Sequence, residues 1–310
     1  MNTAHNSPDS NHTSTPRHNG RIALVTGANQ GLGRALAEGL AARLGVDDLV
    51  LLTGRHAGRV TEAAAEVAGA PQTRARVEGR VLDVSDGAGI AALAAELAER
   101  HGGVDLVLSN AIAPLAKEVS QAAQADAFID VANGATHAVL RSFAPVLRPG
   151  GRLLVVASGL GALGFLPPHL QPVFDGASLE QVEAAVESWR AAVHAGTAEA
   201  AGWPRWINIP SKVAQVAAVR AVAAERRERD LAEGTLLAAV CPGMVDTRAS
   251  RGWFTGYEAQ TPAVAARAVL DLVLAGSVDP GQYGELVQFG KVLPWHGGAP
   301  LTEQDALLTP

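Results

Sequence analysis

Lysine is rare in this chain: Lys117, Lys212 and Lys291 are the full set in 310 residues. Lys212 closes the stretch WPRWINIPSK, which starts at Trp203. A lysine at any chosen position is a roughly one-in-a-hundred event by composition, so Lys212 is informative. A second chemical signal is TGANQGLG, Thr26 to Gly33, with glycines at Gly27, Gly31 and Gly33. Glycine permits a tight turn and lets a pyrophosphate approach the backbone. A helix starting there offers free N–H groups and partial positive charge to the anion. Glycine is abundant here, at 33 residues, and also marks ordinary turns. The place of this cluster, between a strand pattern and a helix pattern, makes it a phosphate cradle. The third signal is Arg55, just beyond the TGR that ends a second strand pattern. In a dinucleotide fold that position faces the adenosine ribose, where an acid binds the 2′-hydroxyl and arginine suits a 2′-phosphate. No acid follows at once, and the chain continues HAGR. NADP is therefore expected over NAD; the alternative is a solvated surface arginine. His137, His169 and His194 have no metal-ligand spacing. With Cys241 as the single cysteine, the chain has no internal disulfide and no cysteine-rich metal site, and no metal is expected.

These residues need elements to hold them. From Arg21 the chain alternates short apolar runs with longer helical patterns. The runs are IALVT (22–26), LVLLT (49–53), RVLDV (80–84), VDLVLS (104–109), RLLVVAS (152–158), TLLAAV (235–240) and ELVQF (285–289). They hardly alternate, as strands buried on both faces should not. Leu32, Leu36, Leu40 and Leu44 repeat every four residues and make one apolar helix face. Further helices are expected over about 87–101, 122–146, 178–195, 211–229 and 262–275. The alternation predicts an α/β fold: a Rossmann-like, doubly wound parallel sheet of about seven strands in a single domain.

Composition agrees with a soluble globular protein: 48% hydrophobic, 18% charged, net charge −6. That charge predicts no nucleic-acid face. Residues 1–20 are polar and lack the apolar stretch of a signal peptide, so they read as a disordered tail. The run LLVVASGLGALGFLPP from Leu153 is broken by glycines and too short to span a bilayer. The expectation is a cytoplasmic protein with no membrane partner. Its domain covers 21–296, with a C-terminal tail at 297–310.

The quoted motifs resemble those of the short-chain dehydrogenases/reductases. TGANQGLG matches that family's TGxxxGxG loop, and DVSD (83–86) looks like its adenine-contacting segment. SNAIAP (109–114) resembles its NNAG segment, with Asn110 and Ala111 kept and Ile112 in place of glycine. VVASG puts Ser158 at the catalytic serine position, and PGMVDT (242–247) matches the PGxVxT segment around the nicotinamide. The likeness spans about 20–296 and is strongest to the monomeric NADPH-dependent carbonyl reductases. A helical insertion at about 165–203, ending in GWP, and the late ELVQFGKVLPW carry it. The resemblance implies cofactor contacts at Gly27, Asn29, Gly31, Leu32, Gly33, Arg55, Asp83, Val84, Asn110, Ala111, Lys212, Pro242, Gly243, Val245 and Thr247. It also implies a monomer, because in those reductases the insertion covers the face that relatives use to dimerise.

The family's catalytic pattern is Tyr-x-x-x-Lys. This chain has Asn208-Ile-Pro-Ser-Lys212, and its two tyrosines, Tyr257 and Tyr283, lie downstream. The family's helix asparagine also looks displaced: Ala132 aligns there, with Asn133 one residue on. Hydride delivery to a ketone leaves an alkoxide that needs a proton, and an amide cannot be its general acid. Asn208 can donate a hydrogen bond to a carbonyl, or can simply cap the helix that follows. Implied catalytic residues are Ser158, Asn208 and Lys212. For Lys212 the resemblance implies a bond to the cofactor ribose, then electrostatic stabilisation or proton donation. The leading expectation is an NADP(H)-dependent oxidoreductase acting on a carbonyl, imine or enone of a bulky apolar small molecule. An iminium needs hydride without a proton, and an enone needs only enolate stabilisation. The alternatives are a non-redox cyclase, isomerase or dehydratase, and a cofactor-binding pseudoenzyme. RGWFTGYEAQ is expected to form a flap hinged at Gly252 and Gly256, with Trp253, Phe254 and Tyr257 lining a pocket or simply packing.

Overall fold

The computed structural model describes residues 20–251 and 258–299. In chain order the elements are β1 (Ile22–Val25), α1 (Gly31–Arg43), β2 (Leu49–Gly54), α2 (Ala57–Gly69), β3 (Arg76–Val81), α3 (Gly87–His101) and β4 (Val104–Ser109). Then come α4 (Gln121–Ile129), a π-helical turn (Asp130–Gly134), α5 (Ala135–Phe143), β5 (Leu147–Val156), α6 (Leu179–His194) and α7 (Asn208–Ala232). The chain finishes with β6 (Leu236–Cys241), α8 (Pro262–Val273), β7 (Leu286–Gln288) and β8 (Lys291–Leu293). One sheet of eight strands runs β3-β2-β1-β4-β5-β6-β7-β8. The first seven are parallel, and β8 pairs antiparallel with β7.

The reason for this sheet lies in the strands' side chains. Every residue of β1, β2 and β6 is buried, which requires helices on both faces. By contact the helices form two groups: α1 with α2 and α8, and α3 with α5, α6 and α7. The strand order reverses at β1, which sits between β2 and β4. The loops leaving β1 and β4 therefore diverge and open a crevice at the carboxyl edge.

One sequence expectation is met with an addition, and three need correction. The expected parallel sheet of about seven strands is present as seven, and a short antiparallel eighth, β8, folds back after Phe289 and Gly290, both at positive φ. The third strand is Arg76–Val81, not 80–84. It is a half-exposed edge strand, so it carries arginine and glutamate, while the apolar Leu82 and Val84 belong to the turn beyond it. Helix α2 was not foreseen; its buried stripe is only Val60, Ala63, Ala64 and Val67. The expected helix over 122–146 is two α-helices joined by the π turn.

Candidate active site

The crevice begins with Thr26, at the end of β1. Its hydroxyl accepts N–H bonds from Asn110 (2.8 Å) and Ala111 (3.1 Å), and Asn110 Nδ2 donates to the Thr26 carbonyl at 3.0 Å. The polar groups of Asn110 and Ala111 thus tie the β1 and β4 loops together. Gly27 has φ +62°, and a Cβ there would sit 2.9 Å from the Ala111 Cα. A Cβ on Gly33 would lie 2.4 Å from the Gly27 carbonyl oxygen, so α1 can approach the loop only with glycine there. Gly31, at φ +57°, starts α1, and its N-cap Gln30 contributes no side-chain bond. The first-turn N–H groups of α1 stay available to an anion. Across the gap, Thr247 Cγ2 is 3.5 Å from the space a Gly31 Cβ would fill. The segment after β6 therefore faces the glycine loop, which is the cradle a pyrophosphate needs.

Leu32 is buried under this loop, and Asn29 reaches the end of β2, its Oδ1 lying 2.9 Å from a Cβ placed on Gly54. Arg55 is exposed just beyond β2, its Nε bonded to His56 Nε2 at 3.3 Å. Asp83 stands nearby, past β3. Hydrogen bonds from the Ser85 hydroxyl (2.7 Å) and backbone N–H (3.0 Å) hold its carboxyl below the usual range, with help from the charges of Arg55 and His56. Val84 is buried beside it.

At the other end, β5 delivers Ser158. The Ser158 Oγ caps a short 3-10 turn (Gly159–Gly161) by accepting the Leu160 N–H at 3.3 Å, which leaves its own proton to donate. This turn presses on α7: a Cβ on Gly161 would meet Val216 Cγ2 at 2.6 Å and the Lys212 carbonyl at 3.0 Å. Cys241 closes β6 in the same place. Its sulfur accepts the backbone N–H groups of Gly159 and Gly243 and the Gln288 amide (3.1 Å), and burial pushes its thiol up. Gly243 itself has φ +78°, with Pro242 and Val245 buried on either side. Lys212 is 5% exposed. Burial pushes its ammonium down to about 8, opposed by the nearby Cys241. Its Nζ donates to Gln215 Oε1 at 2.6 Å.

Asn208 is the first residue of α7, one turn before Lys212 and so on the same face. The capping role considered for it is not taken: Ile207 is the N-cap residue, and no side chain caps the helix. No hydrogen bond joins the Asn208 side chain to another described residue. Pro210 falls in the first turn, where its missing donor costs nothing. Tyr283, the tyrosine among the described residues, packs near the other end of α7 from Asn208. Tyr283 is buried and donates to Asp230 Oδ2 at 2.7 Å, which with burial pushes its phenol far up. Tyr257, with Trp253, Phe254, Gly252 and Gly256, lies outside the described residues. The three histidines are scattered: His137 lies 3.9 Å from Glu183, His169 bonds the Ala201 carbonyl at 3.0 Å, and His194 bonds Asp126 at 2.8 Å.

Thr26, Gln215, Cys241 and Gln288 are the site residues that sequence reasoning missed. Gln215 did leave a signal, being the one polar residue in the run KVAQVAAV after Lys212.

A family model described as short chain dehydrogenase matches residues 21–167. Carbonyl reductase (NADPH) 1 of Sus scrofa is 30% identical over 288 residues, covering 89% of this chain and 95% of that protein. Carbonyl reductase (NADPH) 3 of Mus musculus is 31% identical over 297 residues, covering 89% and 98%. Among solved structures, salutaridine reductase from Papaver somniferum shares the fold, with a TM-score of 0.72 at 20% identity over 86% of this chain and 99% of that one. Nearly full-length similarity to carbonyl reductases, on a sheet ordered about a glycine-loop crevice, shows that the chain belongs to the short-chain dehydrogenase/reductase family.

Proposed function

We propose that this protein is an NADP(H)-dependent reductase of bulky apolar small molecules bearing a carbonyl, imine or enone, with an active site that lacks the usual phenolic acid. The observation that carries the reading is the cradle. Gly27 and Gly31 at positive φ, an uncapped α1 N-terminus and Thr247 opposite them leave room for a pyrophosphate. The proposed cofactor contacts follow that crevice from end to end. Arg55 and Asp83 take the adenosine end, with Arg55 pairing with a 2′-phosphate. Gly27, Asn29, Gly31, Leu32, Gly33, Val84, Asn110 and Ala111 line or brace the middle, and Pro242, Gly243, Val245, Thr247 and Lys212 the nicotinamide end. The relatives' names, NADPH carbonyl reductases, support the same choice of cofactor.

When bound, the cofactor supplies a hydride to an electrophilic carbon. The chain's own residues handle the charge that results. The Ser158 hydroxyl and the Asn208 amide donate hydrogen bonds to the substrate oxygen. Lys212, pushed down to about 8, is mostly protonated at neutral pH and is the strongest acid of the three. An iminium or an enone suits this set better than a simple ketone, because neither demands an alkoxide proton during hydride transfer. The segment at about 165–203 is read as the helical insertion of the monomeric reductases, and the protein as a cytoplasmic monomer.

The test is NADPH consumption against a panel of ketones, cyclic imines and enones, with Ser158→Ala and Lys212→Ala alongside. Turnover favouring imines or enones, and falling in both variants, is expected. Efficient ketone reduction that persists in both variants would overturn the assignment of these residues. Tight NADPH binding with no consumption across the panel would instead favour a non-redox enzyme or a cofactor-binding protein.

A further inference from the structure

Helices α5 and α7 meet along a buried polar seam. Asn133, Thr136, Ser211, Lys212 and Gln215 are each 5% exposed or less. Asn133 Nδ2 donates across it to the Ser211 carbonyl at 3.0 Å, and the hydrogen bonds that start from Lys212 run the other way. Lys212 Nζ donates to Gln215 Oε1 at 2.6 Å. Gln215 Nε2 donates to the Ala132 carbonyl at 3.0 Å and to Thr136 Oγ1 at 2.9 Å. Thr136 Oγ1 in turn donates to the Ala132 carbonyl at 2.6 Å. Both amide protons of Gln215 and the one hydroxyl proton of Thr136 are thereby used, so only the amide oxygen can face Lys212. Turned over, the amide would set its N–H groups against an ammonium and its oxygen against two acceptors. The chain of donors ends on Ala132, in the π-helical turn, and such turns inside α-helices are frequent at functional sites.

We propose that Gln215 is a positioning residue for Lys212: its clamped amide oxygen fixes the ammonium in the seam and shuts that side as a route for protons. An amide that already donates twice has no proton to exchange, and the carbonyl beyond it has none to give. A proton lost from Lys212 is therefore replaced from a side other than Gln215, such as the one where Cys241 lies. This inference rests on the reading of Lys212 as a member of the reacting site, but its test does not depend on turnover.

The rarity of lysine makes the test direct. The full chain, grown with lysine carrying ¹³C at the ε carbon, gives signals for Lys117, Lys212 and Lys291 alone. Each can be followed by NMR against pH in the wild type and in Gln215→Glu, Gln215→Leu and Thr136→Val variants, with Lys212→Met to assign its signal. Glutamate should raise the Lys212 midpoint by at least about one unit, a tenfold change in proton affinity, by pairing a carboxylate with the ammonium. Leucine should lower it, and Thr136→Val, which loosens the clamp without touching Lys212, should lower it less. If the leucine variant does not fold, the glutamate and valine variants decide. Midpoints unchanged in the folded variants would overturn the inference and leave the cofactor site untouched. Loss of NADPH binding by the wild type would instead count against the proposed function.

Discussion

Asn208 stands one turn before Lys212 on α7, and in the proposed reaction it takes the place of a phenol that would protonate the alkoxide. Losing a general acid costs about 10²–10⁴-fold in rate. Asn208→Tyr should therefore raise turnover of simple ketones at least tenfold, provided the pocket admits the ring. Unchanged turnover in a folded, NADPH-binding variant would show that the proton already has another source. Lys212 yields a second prediction, on stability. Its folded value of about 8 lies below the ordinary 10.5, so burial penalises the charged form. The penalty is complete below pH 8 and fades as pH rises to 10.5, so stability should rise across that window. Lys212→Met removes the buried charge and should stabilise the fold by up to roughly 3 kcal/mol at pH 7, and by far less near pH 10.5. Chemical denaturation at the two pH values checks it; equal effects at both would mean that Lys212 is not held as a buried cation. Lys212 and Ser158 were legible in the sequence because a rare lysine and a strand-end serine fall at motif spacing. Gln215 was not, because its role comes from Ala132 and Thr136, which are about eighty positions away and meet it only when α5 packs on α7.

At the level of elements, the buried strands announced themselves and the half-exposed ones did not. β1, β2 and β6 are apolar throughout because both faces are covered. β3, RVEGRV, lies at the edge with nothing demanding apolar side chains, and the apolar letters just after it drew the expectation four residues downstream. α2 hid its stripe in alanines, and the π turn leaves no mark in composition. The packing of α5 against α6 makes a prediction about acid. His137, on α5, is 7% exposed and its Nε2 has no hydrogen-bond partner. Burial pushes it down to about 4, with Glu183 of α6 opposing and Arg141 assisting. The neutral ring's contribution is present above pH 6.5 and is lost as pH falls toward 4. Melting temperature should then drop more steeply between pH 7 and 5 in the wild type than in His137→Leu, with up to roughly 3 kcal/mol at stake by pH 4. Parallel curves would mean that acid acts elsewhere.

Across the whole molecule, one feature of topology positions everything else. The strand order turns at β1, and the crevice it opens collects the glycine loop, the ends of β2 and β3, the Ser158 turn and the segment after β6. The sequence made this much legible, since each motif sits where a strand pattern stops. The chain is acidic overall, at −6, and Arg55 stands exposed just beyond β2 with Asp83 nearby. A 2′-phosphate is the group proposed to pair with that guanidinium. The measurement that tests this most directly is calorimetric titration of the wild type and Arg55→Asp with NADPH and NADH. The wild type should bind NADPH at least tenfold more tightly than NADH, and Arg55→Asp should lose most of that preference by weakening NADPH. Equal wild-type affinities for the two would contradict the choice of NADP, and no binding of either would contradict the cofactor site itself.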